Sequence, residues 1–235
     1  MHAQAKDLVL GLIGTLCCVW VVLCWPGLDP EISMWFYSQG IGFPADRWWP
    51  VQLAYHGAPW LSRGLFVMCM VVLFVALWNP ERVSRRWWRP ALAWVLVVLV
   101  GVGLVVHVAL KNQMGRPRPV NVQLFGGSAP YIPALQVSDY CLRNCSFVSG
   151  HAAGGFSLMA LGMLACRRRR RQWLVMGIAA GGLIGLVRMA QGDHYLSDVV
   201  FAGLAIWWTQ QLIRWSWLRT KCWQMRKYSR HTLSV

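Results

Sequence analysis

A chain of 235 residues that is 57% apolar and only 13% charged carries too little polar surface for an ordinary soluble domain. Its mean hydropathy is +0.42, and its formal net charge is +15. The basic excess alone would suit a nucleic-acid binder, but that reading needs a basic face on a soluble domain, so no nucleic-acid partner is expected.

Six apolar stretches follow in chain order, at residues 8–25, 60–78, 91–110, 152–166, 173–187 and 199–213. A spanning helix needs about 20 predominantly apolar residues. The third stretch meets that length, and the last three must borrow small or amphipathic neighbours at their ends. The first outruns the apolar region of a signal peptide and no A-x-A-like site follows Trp25, so it is expected to remain as a helix. Residues 26–59 form a long outer connection with a short interfacial helix expected near 32–39. The fold class expected is therefore all-α: a polytopic membrane protein, a six-transmembrane-helix bundle with both termini cytoplasmic. It forms one domain over 1–235, with core motifs in 111–198 and a basic cytoplasmic tail at 214–235.

Charge orients the bundle. With the N-terminus cytoplasmic, sixteen of the 23 Lys and Arg residues fall on that side, among them the arginine run 167–171. The positive-inside rule favours this arrangement, and the excess also suits anionic lipid headgroups. Trp25, Trp60, Trp78, Trp87, Trp88, Trp173, Trp215 and Trp217 fall near the expected helix ends, where amphipathic rings sit at headgroup level; Trp20 and Trp94 are equally readable as core.

Three clusters then stand at the outer ends of the apolar stretches: Lys111 with Arg118-Pro119, Ser149-Gly150-His151, and Arg188 with His194 and Asp198. Ionisable groups near membrane depth are costly and mark function by default. Ser149-Gly150 stands just before the apolar run that begins at Ala152, where Ser149 is a natural N-cap and free N–H groups favour an anion; a plain cap is the alternative. His194 and Asp198 stand four apart, one helical turn, so the carboxylate can orient one imidazole nitrogen and leave the other nucleophilic. The plainer reading is a capping Asp beside an interfacial His. Arg118 offers phosphate a two-pronged fork, whereas Lys111 acts as a point charge or simply snorkels.

Lys111-x6-Arg118-Pro119, Ser149-Gly150-His151 and Arg188-x5-His194-x3-Asp198 together resemble the three-part signature of the type 2 phosphatidic acid phosphatase superfamily, the membrane lipid phosphatases. Val148 and Val187 stand where Pro and Ser are commoner in that family. The stretch from Cys141 to His151 is most similar to bacterial enzymes that dephosphorylate lipid A. The resemblance implies a metal-independent phosphatase without cofactor. His194, oriented by Asp198, would form a phosphohistidine, and His151 would serve as general acid and then base. Lys111, Arg118, Arg188 and the Ser149-Gly150 backbone would hold the phosphoryl oxygens. Arg116 is an accessory candidate beside the motif, and Arg143 a candidate contact for a second headgroup phosphate.

Asp139 and Asp193 are too isolated to suggest a metal site, and none is expected. Of eight cysteines, only Cys141 and Cys145 share the outer compartment, where a disulfide would pin the loop before His151; two free thiols are the alternative. The resemblance implies hydrolysis of a phosphomonoester or pyrophosphate headgroup on a phospholipid or lipid A, with lipid A the leading expectation, at the periplasmic face of a bacterial inner membrane. Undecaprenyl pyrophosphate, phosphatidylglycerol phosphate and phosphate transfer to another lipid are the alternatives. A non-catalytic scaffold or transporter fits less well, because the ionisable residues gather at one face and only His107 lies deeper in a span.

Overall fold

The computed structural model describes residues 2–111 and 113–232, and the side chains of 5–111 and 113–220. All regular structure in the described residues is helical, apart from isolated bridges at Ser38–Gly42 and Val122–Ala129. The helices are α1 (His2–Cys24), α2 (Leu28–Met34), α3 (Trp49–Trp78), α4 (Arg85–Lys111), α5 (Gly150–Phe156), α6 (Arg167–Ala190) and α7 (Leu196–Thr232). The short helix expected near 32–39 forms earlier, as α2, and α3 begins at Trp49, well before residue 60.

Among the described residues, four helices are long and apolar enough to cross a membrane: α1 over Ala5–Cys24, α3, α4 and α6. Their outward faces carry Leu10, Leu16, Trp20, Leu61, Phe74, Leu77, Leu104 and Leu183, all exposed. Such a surface would aggregate in water and is the ordinary exterior of a protein in hydrocarbon. Of the two Trp residues left open by the sequence, Trp20 belongs to this exterior. Trp94 is buried and donates from Nε1 to Ser157 Oγ at 3.0 Å.

The remaining stretches differ for physical reasons. α5 is a short helix that tightens into a 3₁₀ segment at Ser157–Gly162, and Ala152, Ala153, Gly155 and Phe156 are buried between α4, α6 and α7. A helix sheathed by protein need not match the bilayer in length. α7 is long, but it buries Asp198 in its first turn and Thr209, Gln210 and Gln211 in its apolar stretch. The tail residues Lys221, Cys222, Arg226, Lys227 and Arg230 have side chains outside the described residues.

Small residues bring α5 and α6 together. A Cβ on Gly155 would stand 2.7 Å from the Cα of Gly181, and one on Gly177 would stand 2.7 Å from the backbone N of Met159. Glycine lets the backbones meet at that distance, the usual device of helix contacts in lipid. The consequence is positional. The C-terminal ends of α4 and α6 and the N-terminal ends of α5 and α7 lie at one end of the bundle, bringing Lys111, Arg188, Ser149 and Asp198 there. At the other end, Asp7 of α1 binds Arg170 of α6 at 3.1 Å and Arg214 of α7 at 3.2 Å.

Candidate active site

The loop between α4 and α5 carries the first motif into the second by backbone bonds. Gly115 turns with φ +59, a conformation open to glycine, and a Cβ there would collide with the Ser138 carbonyl. Ser146 N donates to Arg116 O at 2.8 Å, Val120 N to Gly192 O at 2.9 Å and Ser149 N to Asp198 O at 3.1 Å. All three motifs are thereby tied to one another before any side chain is considered. The Cys141 and Cys145 sulfurs are bonded, with the Cα atoms 5.7 Å apart, four residues before the Ser149 cap. Ser149 Oγ accepts from Ala152 N at 3.4 Å, a long capping bond at the start of α5.

The third motif folds differently from the simple helical turn its spacing suggests. His194 lies before α7, because Asp198 reaches back to accept from Tyr195 N at 2.8 Å and so starts the helix at Leu196. This is the reciprocal half of a capping box, with Asp at the third helical position. The pair still meets: His194 Nδ1 faces Asp198 Oδ2 at 3.5 Å, without hydrogen-bond geometry. Oδ2 is already occupied, accepting from Ser146 Oγ at 2.5 Å as well as from Tyr195 N. His194 is 1% exposed, and burial pulls its imidazole below the usual value while Asp198 acts in the opposite sense.

Beneath this pair lies a buried ionic network that the sequence did not reveal. Arg116 donates to Asp198 Oδ1 and to Asp29 Oδ2, each at 2.7 Å, and to Ser197 Oγ at 2.9 Å. Its Nε donates to the Ile132 carbonyl at 2.9 Å, and its guanidinium stacks 4.0 Å from the Tyr195 ring. Burial works against the Arg116 charge, but Asp198 and Asp29 outweigh it and hold the group protonated above its ordinary value. Asp29, from α2, also accepts from Ser197 N at 2.9 Å. Arg116 is therefore committed inward, to the carboxylate beside His194.

The other two arginines face a shared acid. Asp193 pairs through Oδ1 with Arg118 NH1 and through Oδ2 with Arg188 NH2, the latter at 2.6 Å. Arg118 further donates to the Asn144 carbonyl from Nε at 3.2 Å and NH2 at 3.0 Å. Arg188 is 2% exposed, donates to Gln191 Oε1 at 2.6 Å, and sits 4.3 Å over the Tyr55 ring, which in turn lies 5.3 Å from the His151 ring. Lys111 is 5% exposed and makes no ion pair among the described residues.

Lys111, Gly150 and His151 line one cavity of about 570 Å³, which continues between α3, α4, α5 and α6 past Leu65, Val102 and Leu158. His107 borders the same cavity, close enough that a Cβ on Gly150 would stand 2.9 Å from its ring. Arg143 lies apart from the arginine clasp, on an open polar recess with His107, Lys111 and Asn144. Asp139 is exposed. Cations, two imidazoles and an apolar channel thus converge at one end of the bundle, an arrangement suited to an amphiphile with a phosphorylated head.

Residues 91–221 match the PAP2 superfamily, a span that includes all three motifs. The chain belongs to this superfamily. It is 34% identical over 214 residues to the lipid A 4'-phosphatase of Francisella tularensis subsp. novicida, covering 85% of this chain and 90% of that protein. Identity to the lipid A 4'-phosphatase of Rhizobium etli is 40% over 207 residues, covering 79% of this chain and 77% of the relative. That of Rhizobium leguminosarum is 38% identical over 130 residues, covering 55% of this chain and 54% of the relative. No solved structure matches.

Sequence reasoning missed Asp29, Tyr55, Ser146, Ser197 and the position of Asp193. One signal was present: only 8 Asp and Glu face 23 Lys and Arg, so each acid in an apolar setting had many possible partners.

Proposed function

We propose that this membrane phosphatase removes the 4'-phosphate of lipid A at the periplasmic face of a bacterial inner membrane, through a phosphohistidine on His194. Relatives bearing that activity in their names align over as much as 85% of the chain, and this observation carries the substrate. In this reading α5 and α7 join the four apolar helices as a six-span, single-domain bundle with both termini cytoplasmic. The charge asymmetry and the gathering of the motifs at one end support it.

His194 Nε2 attacks phosphorus as the bond from phosphorus to the sugar oxygen breaks, and His151 gives its proton to that oxygen. His151 then takes a proton from water, which attacks phosphorus and breaks the P–N bond to release phosphate. Asp198, fixed by Arg116, Ser146 and Tyr195 N, steadies the imidazolium side of His194. The 3.5 Å separation is of the kind that closes when substrate arrives. Lys111, Arg118, Arg188 and the backbone at Ser149-Gly150 meet the charge on the equatorial oxygens. The cavity toward Leu158 takes an acyl chain.

The test is turnover of purified protein in detergent with lipid A, with free phosphate and dephosphorylated lipid followed by mass spectrometry. Wild type should lose the 4'-phosphate and form an acid-labile phospho-adduct on His194, while His194→Ala should fold and release none. Near-normal release by His194→Ala would reject the mechanism, and an intact 4'-phosphate after wild-type incubation would reject the substrate.

A further inference from the structure

The arginines assigned to the phosphoryl group are not free in this structure, because one carboxylate holds both. Asp193 spans Arg118 NH1 and Arg188 NH2, and it immediately precedes His194 in the chain. Its place is built. Gly192, at φ +72, turns the chain, and Asp193 N donates back to Arg188 O at 3.1 Å. With Asn144 accepting from Nε and NH2 of Arg118 and Gln191 from NH1 of Arg188, the Nε of Arg188 is left buried and unpartnered.

Arg116 also joins two carboxylates, but there the side chains are between 0% and 7% exposed, as befits a permanent strut. The Asp193 clasp is more open on one side, at 19% for Arg118 and 17% for Asp193, while Arg188 is only 3% exposed. The partly hydrated Arg118 pair holds the more weakly of the two. A phosphate carries more charge than a carboxylate and offers more acceptor oxygens to the same two forks.

We propose that Asp193 is a resident counter-anion of the phosphate site, pairing Arg118 with Arg188 when the site is empty and competing with phosphate for them when it is not. This rests on the phosphatase reading above. The competition has a use in a two-step reaction. Cations strong enough to bind a phosphorylated lipid would also retain the phosphate released at the end, and a carboxylate that reclaims the arginines helps expel it. Asp193 is thus a residue that sets affinity and product release, distinct from the groups that make and break bonds.

The experiment uses the full chain in detergent and compares wild type, Asp193→Asn and Asp193→Glu. It measures KM and kcat for lipid A and inhibition by inorganic phosphate and orthovanadate. Removing one negative charge a few ångströms from a bound anion should tighten phosphate by about tenfold or more. Asp193→Asn should therefore show a lower phosphate inhibition constant and a lower KM, with kcat unchanged or reduced as release slows. Asp193→Glu should stay within about threefold of wild type, since it keeps the charge. An inhibition constant that is unchanged or raised in Asp193→Asn would overturn the proposal and leave the acid as a support for the arginines alone. Asp193→Ser is read in the same way if the Asn form does not fold. Direct binding of radiolabelled inorganic phosphate separates this outcome from failure of the functional reading. Absence of lipid turnover sinks the latter, while the affinity difference between wild type and Asp193→Asn still decides the former.

Discussion

At the scale of single residues, the proposed mechanism turns on the protonation of His194. A nucleophilic imidazole must be neutral, and burial favours the neutral form of His194 by lowering its pKa, with Asp198 opposing and Lys111 and Arg188 reinforcing. An ordinary histidine is half protonated near pH 6.5. With the pKa lowered, the neutral fraction persists as pH falls through that value, so phosphorylation of His194 should keep its rate down to pH 6.5 and decline only below it. p-Nitrophenyl phosphate isolates this step, because its leaving group needs no proton from His151. The pH dependence of the nitrophenolate burst should place the acidic limb below 6.5; a limb at or above 7 would mean that Asp198 dominates and the imidazole is charged at rest. The same scale explains Arg116. A buried guanidinium shared by Asp198 and Asp29 holds the carboxylate beside His194 in place, and loss of one partner of such a buried pair is strongly destabilising.

At the scale of elements, the site depends on how closely α5 approaches α6, since one carries His151 and the other Arg188. Gly177 faces the 3₁₀ continuation of α5, where a Cβ would press 2.7 Å from the Met159 backbone N, whereas Gly182 on the same helix has nothing within 4 Å. Gly177→Ala should force the helices apart and cost about 1–3 kcal/mol, as overpacking does. Gly182→Ala should be neutral or stabilise by about 0.5–1 kcal/mol, because alanine costs less backbone entropy in a helix. Thermal unfolding in detergent, followed by circular dichroism, compares the two. Equal shifts would mean that the α5–α6 contact is looser than its geometry, and that the site does not rely on it.

At the scale of the whole molecule, orientation joins two independent asymmetries. The motifs gather at one end of the helices, while the arginine run 167–171 and the Asp7 ion pairs mark the other. A membrane-impermeant thiol reagent applied from the periplasmic side should label cysteines engineered at Gln123 or Ser128, in the α4–α5 loop, and should spare one at Ser84, before α4. Labelling at Ser84 from that side would invert the bundle and overturn the proposed periplasmic site. The apolar exterior of α1, α3 and α6 belongs to this scale as well: it makes sense in hydrocarbon, where exposed Leu and Trp carry no penalty.

What the sequence determined by itself follows from local chemistry. Apolar runs of sufficient length must be helices in lipid, and a cluster such as Lys111-x6-Arg118 or His194-x3-Asp198 can be read because its spacing is short. Hence the all-α class, the apolar segments and the motif residues were legible without coordinates. Partnerships across the chain were not. Asp29 meets Arg116 and Ser197 across long stretches of sequence, Tyr55 comes between Arg188 and His151, and Asp193 closes on two arginines from different motifs. The spacing of His194 and Asp198 suggested one helical face, yet α7 starts where Asp198 caps Tyr195 N, and Arg116 and Ser146 hold the same carboxylate from the α4–α5 loop. Tertiary structure settled these points because a buried charge takes whichever partner the packed helices bring within reach, and sequence distance has no part in that choice.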